Sequence, residues 1–182
     1  TIAARLAQAD PGNASWQQDL GIGNERIGDV LMAQGDLAGA LKSYRAKQEI
    51  ISRLARADPG NALWQNDLSV SYKKLGDVLV DQGNRPEALK SYRDSLAVAE
   101  RLAEADPGNT GWQSDVAESH EAIGSVLRAQ GDFPAALESY KASFAIRDRL
   151  AKADPGNAVW QHSLSISHSR IGDVLRALGN LP

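Results

Sequence analysis

The chain has 182 residues, 42% of them hydrophobic, a formal charge of −3 and no cysteine. Disulfides, cysteine-ligated zinc and thiol chemistry are thereby excluded, and the absence of cysteine fits a cytoplasmic location. The near-balanced charge argues against a nucleic-acid or membrane-surface partner, and no apolar run approaches the roughly 18 residues of a membrane span.

Residues 1–8, Thr-Ile-Ala-Ala-Arg-Leu-Ala-Gln, match Ala97–Glu104 and read as the end of a helix. Next comes Asp10-Pro11-Gly12-Asn13-x-x-Trp16-Gln17, a phrase that returns at Asp58, Asp106 and Asp154, with tryptophans at 16, 64, 112 and 160. The period is 48 residues, and a fixed period of this order marks a solenoid whose units bury core against their neighbours. Proline stops one helix in each phrase, and the glycine and asparagine after it turn the chain and cap the next.

A first helix follows, with Trp16, Leu20, Ile27 and Leu31 on one face. Gly35, Gly83, Gly131 and Gly179 end the first helices. Asp36, Asn84 and Asp132 then cap second helices, with Pro86 and Pro134 in the opening turn and Glu87 three residues beyond Asn84. Leu37, Ala40, Leu41, Tyr44, Ile51 and Leu54 form the apolar face of the first of these second helices. Nothing reads as a strand. The expected fold is all-α, a right-handed α-solenoid of antiparallel helix pairs. It forms one array over 1–182, with units 9–56, 57–104 and 105–152 between partial units 1–8 and 153–182. No polar capping unit is visible, so the chain reads as part of a longer array.

Gly28-Ala40-Tyr44, Gly76-Ala88-Tyr92 and Gly124-Ala136-Tyr140 keep the glycine, alanine and aromatic spacing of the tetratricopeptide repeat, and Ile27, Leu75, Ile123 and Ile171 supply the apolar residue before the glycine. The chain resembles that family over nearly its whole length. It departs from the family where leucine (31, 79, 127, 175) replaces the aromatic three after the glycine, and where Asn24, Tyr72, His120 or His168 replaces the tryptophan four before it. The unit is also 14 residues longer than the family's 34, about two extra turns on each helix at the end that holds the tryptophans. Such long units are similar to arrays in large bacterial proteins that also carry signalling domains.

The resemblance implies a non-catalytic protein–protein interaction scaffold with a concave groove lined by first helices. It implies a peptide or protein partner, and no cofactor, metal, nucleic acid or membrane. Carried over relative to the glycine, the groove residues are Glu25, Lys73, Glu121 and Ser169 three before it. Asp29, Asp77, Ser125 and Asp173 stand one after; Met32, Val80, Arg128 and Arg176 stand four after; Asp81 stands five after. This groove runs from acidic and apolar to arginine-bearing, which suits a basic or mixed-charge peptide. The alternatives are head-to-tail self-association through exposed end helices, and a sensor or regulatory arm of a larger signalling enzyme.

Three further expectations come from the residues themselves. The tryptophans should be packing staples against the leucine of Arg-Leu-Ala at 6, 54, 102 and 150. Arg5, Arg53 and Arg101 should pair with Asp19, Asp67 and Asp115 across the joins, and the ladder should lapse at Arg149, where Ser163 stands instead. His120 and His168 should fill core rather than bind metal, and Gly21-Ile22-Gly23 should weaken its helix locally.

Overall fold

A computed structural model describes residues 2–179. Eight α-helices account for the described secondary structure: α1 (Ile2–Ala9), α2 (Ala14–Ala33), α3 (Leu37–Ala57), α4 (Ala62–Asp81), α5 (Arg85–Ala105), α6 (Thr110–Ala129), α7 (Phe133–Ala153) and α8 (Ala158–Ala177). The fold is all-α and of the helical-repeat type, in pairs of 20- and 21-residue helices. No described helix is long and apolar enough to cross a membrane. The expected ends at 1 and 180–182 lie outside the described residues.

Two kinds of join alternate, each with its own chemistry. Within a pair, the first helix ends on a glycine with positive φ, +78° at Gly35 and +84° at Gly131. The Gly35 N–H donates to the Met32 carbonyl at 3.0 Å, and the Asp36 N–H to that of Leu31 at 2.9 Å. That is a Schellman closure, and only glycine adopts the left-handed conformation there without a steric penalty. Asp36 then caps α3 by accepting from the Gly39 N–H at 2.9 Å, and Asp132 caps α7 through Ala135 at 3.2 Å. At Asn84 the cap differs from a capping box. Its carbonyl accepts from the Glu87 N–H, and its side-chain amide donates to the Glu87 carboxylate at 3.0 Å.

Between pairs, the Asp-Pro-Gly-Asn phrase makes the turn. Asp10 Oδ1 accepts from the Gly12 N–H at 3.1 Å, and the asparagine carbonyl accepts from the tryptophan N–H three residues on, at 3.2–3.3 Å in all four copies. These bonds satisfy donors that the first helical turn otherwise leaves without partners.

The structure falls into two compact units, Thr1–Ser91 and Tyr92–Pro182, dividing within α5. In the first, α2 packs on α3 and α3 on α4. Its core joins Ala40 and Tyr44 of α3 to Leu75 and Val78 of α4, flanked by Leu31, Met32, Leu37 and Leu41. In the second, α6 packs on α7 and α7 on α8. Ala136, Tyr140, Ile123, Val126 and Leu150 are buried there.

A serine is buried in each of α4 to α8, 24 residues apart: Ser71, Ser95, Ser119, Ser143 and Ser167. The same phase is Gly23 in α2 and Lys47 in α3. The Ser95 and Ser119 hydroxyls lie 3.5 Å apart. Small residues let helices approach closely, and the hydroxyl adds a polar atom that needs a partner.

One expectation is corrected. Ile27 does not join the core: it is 45% exposed, whereas Leu75 and Ile123 at its phase are 7% and 5% exposed. The four tryptophans are half-buried. Gly21 and Gly23 leave α2 unbroken, and Gly21 is buried, with Ile50 and Ile51 of α3 within 4 Å of where its Cβ would stand.

Candidate functional site

The first-helix positions that the sequence nominates are held in different ways. In the first unit, Glu25 of α2 forms an ion pair with Lys47, which reaches it from α3. Lys47 is only 3% exposed, and a lysine that deeply buried requires a partner. Asp29 accepts from the Tyr44 hydroxyl and from Lys74 Nζ, each at 2.7 Å. Burial alone would raise the Asp29 pKa; the bonds from Lys74 and Tyr44, with the charges of Lys74 and Lys47, lower it overall. Burial and the same bond push the Tyr44 hydroxyl up, with the negative charges of Asp29, Asp77 and Glu25 adding to the effect. Lys74 Nζ also stands 5.9 Å from the centre of the Tyr44 ring. Met32 packs against the core, Lys73 is half-buried, and Asp77, Val80 and Asp81 are exposed along the end of α4.

In the second unit, Glu121 of α6 holds Arg147 at 2.5 Å and Arg170 at 3.5 Å. Arg147 is 8% exposed and also donates to the Ser163 carbonyl and the Ser167 hydroxyl at 3.3 and 3.0 Å. The Ser125 hydroxyl lies 3.2 Å from that of Tyr140. Ser169 donates to the Ser165 carbonyl at 3.3 Å, and Asp173 lies 3.7 Å from Arg176 one turn on. Arg128 is exposed in the last turn of α6.

The structure therefore brings Glu25, Asp29, Glu121 and Ser125 into contact with the same unit's second helix. It leaves Val80, Arg128 and Arg176 projecting at the column four residues after the glycine. Sequence reasoning missed Lys74 and Arg170, two residues before the glycine. Both reach back to an acid on the preceding first helix, Asp29 and Glu121 respectively. Their signal was a cation at one phase in the first, second and fourth units, Arg26, Lys74 and Arg170. Lys47 and Arg147 gave none, because they sit one turn apart and share no phase.

Also missed was the glutamine after each tryptophan. Gln17 donates to the Ala7 carbonyl, Gln65 to Ala55 and Gln161 to Ala151, at 3.0–3.1 Å. Gln65, Gln113 and Gln161 also reach the carbonyl of the turn proline at 3.3–3.4 Å. The amides of Gln17, Gln65 and Gln161 thus serve a carbonyl in the last turn of the preceding second helix that has no intrahelical donor. The amide oxygen accepts in turn: from Arg53 at Gln17 (3.4 Å) and from Arg149 at Gln113. Arg53 thus bonds glutamine rather than the Asp67 expected of it, and Asp67 accepts from Gln18 instead. The histidines also part from expectation. His120 is half-buried, and burial lowers its pKa against the pull of Glu100. His168 is exposed and meets Phe144 edge-on, with the ring centres 4.7 Å apart.

The close approach of Tyr44 to Gly28 and of Tyr140 to Gly124, where a Cβ would stand 2.5 and 2.8 Å from the ring, explains the glycine-to-aromatic spacing. Residues 64–107 match the family model for the tetratricopeptide repeat. Residues 64–107 are a tetratricopeptide repeat. The sequence matches no curated protein. Among solved structures the chain is similar to BtubC from P. vanneervenii, at 17% identity and a TM-score of 0.54 over 98% of this chain and 80% of that one. It also matches a de novo designed helical repeat protein at 12% identity and a TM-score of 0.43, over 98% of this chain and 90% of that one. A structure of MamA from AMB-1 matches at 14% identity and a TM-score of 0.37, over 88% of this chain and 87% of that one. At these identities the likeness to BtubC speaks for the fold alone. Tetratricopeptide repeats as a class are interaction scaffolds rather than catalysts.

Proposed function

We propose that residues 1–182 form one tetratricopeptide array acting as a non-catalytic protein-interaction scaffold, its first helices facing a peptide or partner domain. One observation carries the reading of what is recognised. The acids at two of the nominated columns are already neutralised from within, Glu25 by Lys47, Asp29 by Lys74 and Glu121 by Arg147. The column four after the glycine instead offers exposed side chains, Val80 in the first unit, and in the second Arg128 and Arg176, the latter held only by an exposed pair with Asp173 at 3.7 Å that is worth little. A charge already paired gains little from a second partner, whereas an exposed arginine or valine can gain both contact and desolvation. The second unit thus suits a segment with acidic residues, in place of the basic peptide that the acid columns alone suggest.

Selection from a random-peptide display library on the 182-residue chain tests this. Enriched peptides should be rich in Asp or Glu, and Arg128→Glu with Arg176→Glu should weaken them at least tenfold. Enrichment of Lys- and Arg-rich peptides, or indifference to the double reversal, would overturn the assignment.

A further inference from the structure

One corner of the first helices is built differently in the two units. In the first, the Asp29 carboxylate accepts from the Tyr44 hydroxyl and from Lys74 Nζ, each at 2.7 Å. Glu25, one turn back, pairs with Lys47, so two cations meet two carboxylates. In the second unit Glu121, Tyr140 and Arg170 stand at the phases of Glu25, Tyr44 and Lys74, and Arg147 takes the part of Lys47. The phase of Asp29 is Ser125, the one residue in that column that is not an aspartate. Two arginines therefore share one carboxylate.

Arg170 carries the consequence. Its Nε stands 3.5 Å from Glu121, which Arg147 already holds at 2.5 Å, and this is its one ion pair among the described residues. That Nε is buried with no hydrogen-bond partner, although the side chain as a whole is 40% exposed. A buried charged donor without an acceptor is costly, and a carboxylate is the acceptor a guanidinium holds best. Asp173, three residues on, turns to Arg176 instead. The hydroxyls add a second donor at the same corner. Ser125 and Tyr140 lie 3.2 Å apart, and whichever of them donates, one hydroxyl hydrogen is left over. Ser125 lies one turn from Glu121 on α6, the spacing that puts both on one face. The corner is also within reach of solvent, since the Asp29 side chain that fills it in the first unit is 44% exposed.

We infer that Ser125, Tyr140 and Arg170 receive a carboxylate of the bound segment, in the place that the protein's own Asp29 takes in the first unit. The carboxylate accepts from the remaining hydroxyl and from the Arg170 guanidinium, and two cations then face two carboxylates in both units. This rests on the reading that the second unit takes an acidic segment, and it names where one acid is held. The acid is an Asp or Glu side chain, or the C-terminal carboxylate of the segment.

Two peptides separate these sources: hexaglutamate blocked at both ends, and N-acetylated hexaglutamine with a free C-terminal carboxylate. Each is titrated against the 182-residue chain, and a peptide that binds names its source. Ser125→Asp should weaken that binding at least tenfold. It should also raise the melting midpoint of the chain alone by about 2–4 °C, because the new carboxylate regains the bonds that Asp29 makes. Ser125→Asn, neutral and of the same size as aspartate, should keep binding within about threefold. Binding of neither peptide, indifference to Ser125→Asp or an equal loss with Ser125→Asn overturns the inference, as does a midpoint that fails to rise. Arg128→Glu with Arg176→Glu separates this site from the broader reading. A peptide that responds to that pair but not to Ser125→Asp keeps the acidic segment and removes the site. One that responds to Ser125→Asp alone keeps the site and removes the two arginines.

Discussion

The ring of Tyr44 occupies the volume that a side chain on Gly28 would need: a Cβ there would lie 2.5 Å from Cε1 and 2.7 Å from Cδ1. Gly28→Ala should therefore destabilise by about 1–3 kcal/mol, the usual cost of overpacking a buried contact. Gly172, at the same phase in α8, has nothing within 4 Å of that position among the described residues. Gly172→Ala should instead stabilise by about 0.5–1 kcal/mol through helix propensity. Denaturant melts of the two variants check both signs, and equal shifts in one direction would refute the argument.

The glutamine clasp gives a second expectation. Gln65 serves the carbonyls of Ala55 and Pro59. Gln65→Ala should cost about 1–2 kcal/mol, because it strands helix-terminal carbonyls. Trp64 beside it is half-buried, so Trp64→Ala should cost about 2–3 kcal/mol, below the range for a fully enclosed tryptophan. Equilibrium unfolding of the two single variants tests whether the amide matters beside the indole.

Lys47 and Glu25 supply a third. Lys47→Met alone leaves the Glu25 carboxylate without its buried partner and should destabilise by about 3 kcal/mol. Adding Glu25→Leu removes the stranded charge, and the double variant should return to within about 1 kcal/mol of the parent. A double variant as unstable as Lys47→Met would show that the pair, not the isolated charge, carries the stability.

His120 predicts a pH dependence. Its folded pKa lies below the ordinary 6.5, chiefly through burial. The native state thus holds fewer protons than the unfolded chain as pH falls through this range, and stability is lost on acidification. The contribution is complete above pH 6.5 and declines as pH drops toward the folded value. His120→Tyr, the residue type at Tyr72, should flatten the difference between melts at pH 7 and pH 5. An unchanged difference would assign it to other groups.

The helices and their joins were legible because glycine, proline and the capping residues act over three or four positions, and four copies remove accidental matches. Ile27 was misplaced because periodicity gives the face of a helix but not what stands opposite it. Its copies Leu75 and Ile123 face a second helix and are buried, so one phase hid two environments. The buried cations escaped for the opposite reason. Lys47 and Arg147 break the repeat, each reaching Glu25 or Glu121 from a different turn, and only packing shows that both ends meet. Gln17 recurs beside each tryptophan, but repetition alone does not show that its amide reaches back ten residues to a helix-terminal carbonyl.

Every bond that closes a join between pairs lies within ten residues of sequence, from Ala55 through Asn61 and Trp64 to Gln65. The seam is therefore carried whole by any segment that contains it. Unequal recombination between copies that removes or inserts 48 residues rebuilds an intact seam wherever the exchange falls, while an exchange out of phase destroys one. Copy number can then drift by whole units at little cost to folding, which leaves array length to be set by what the array must reach.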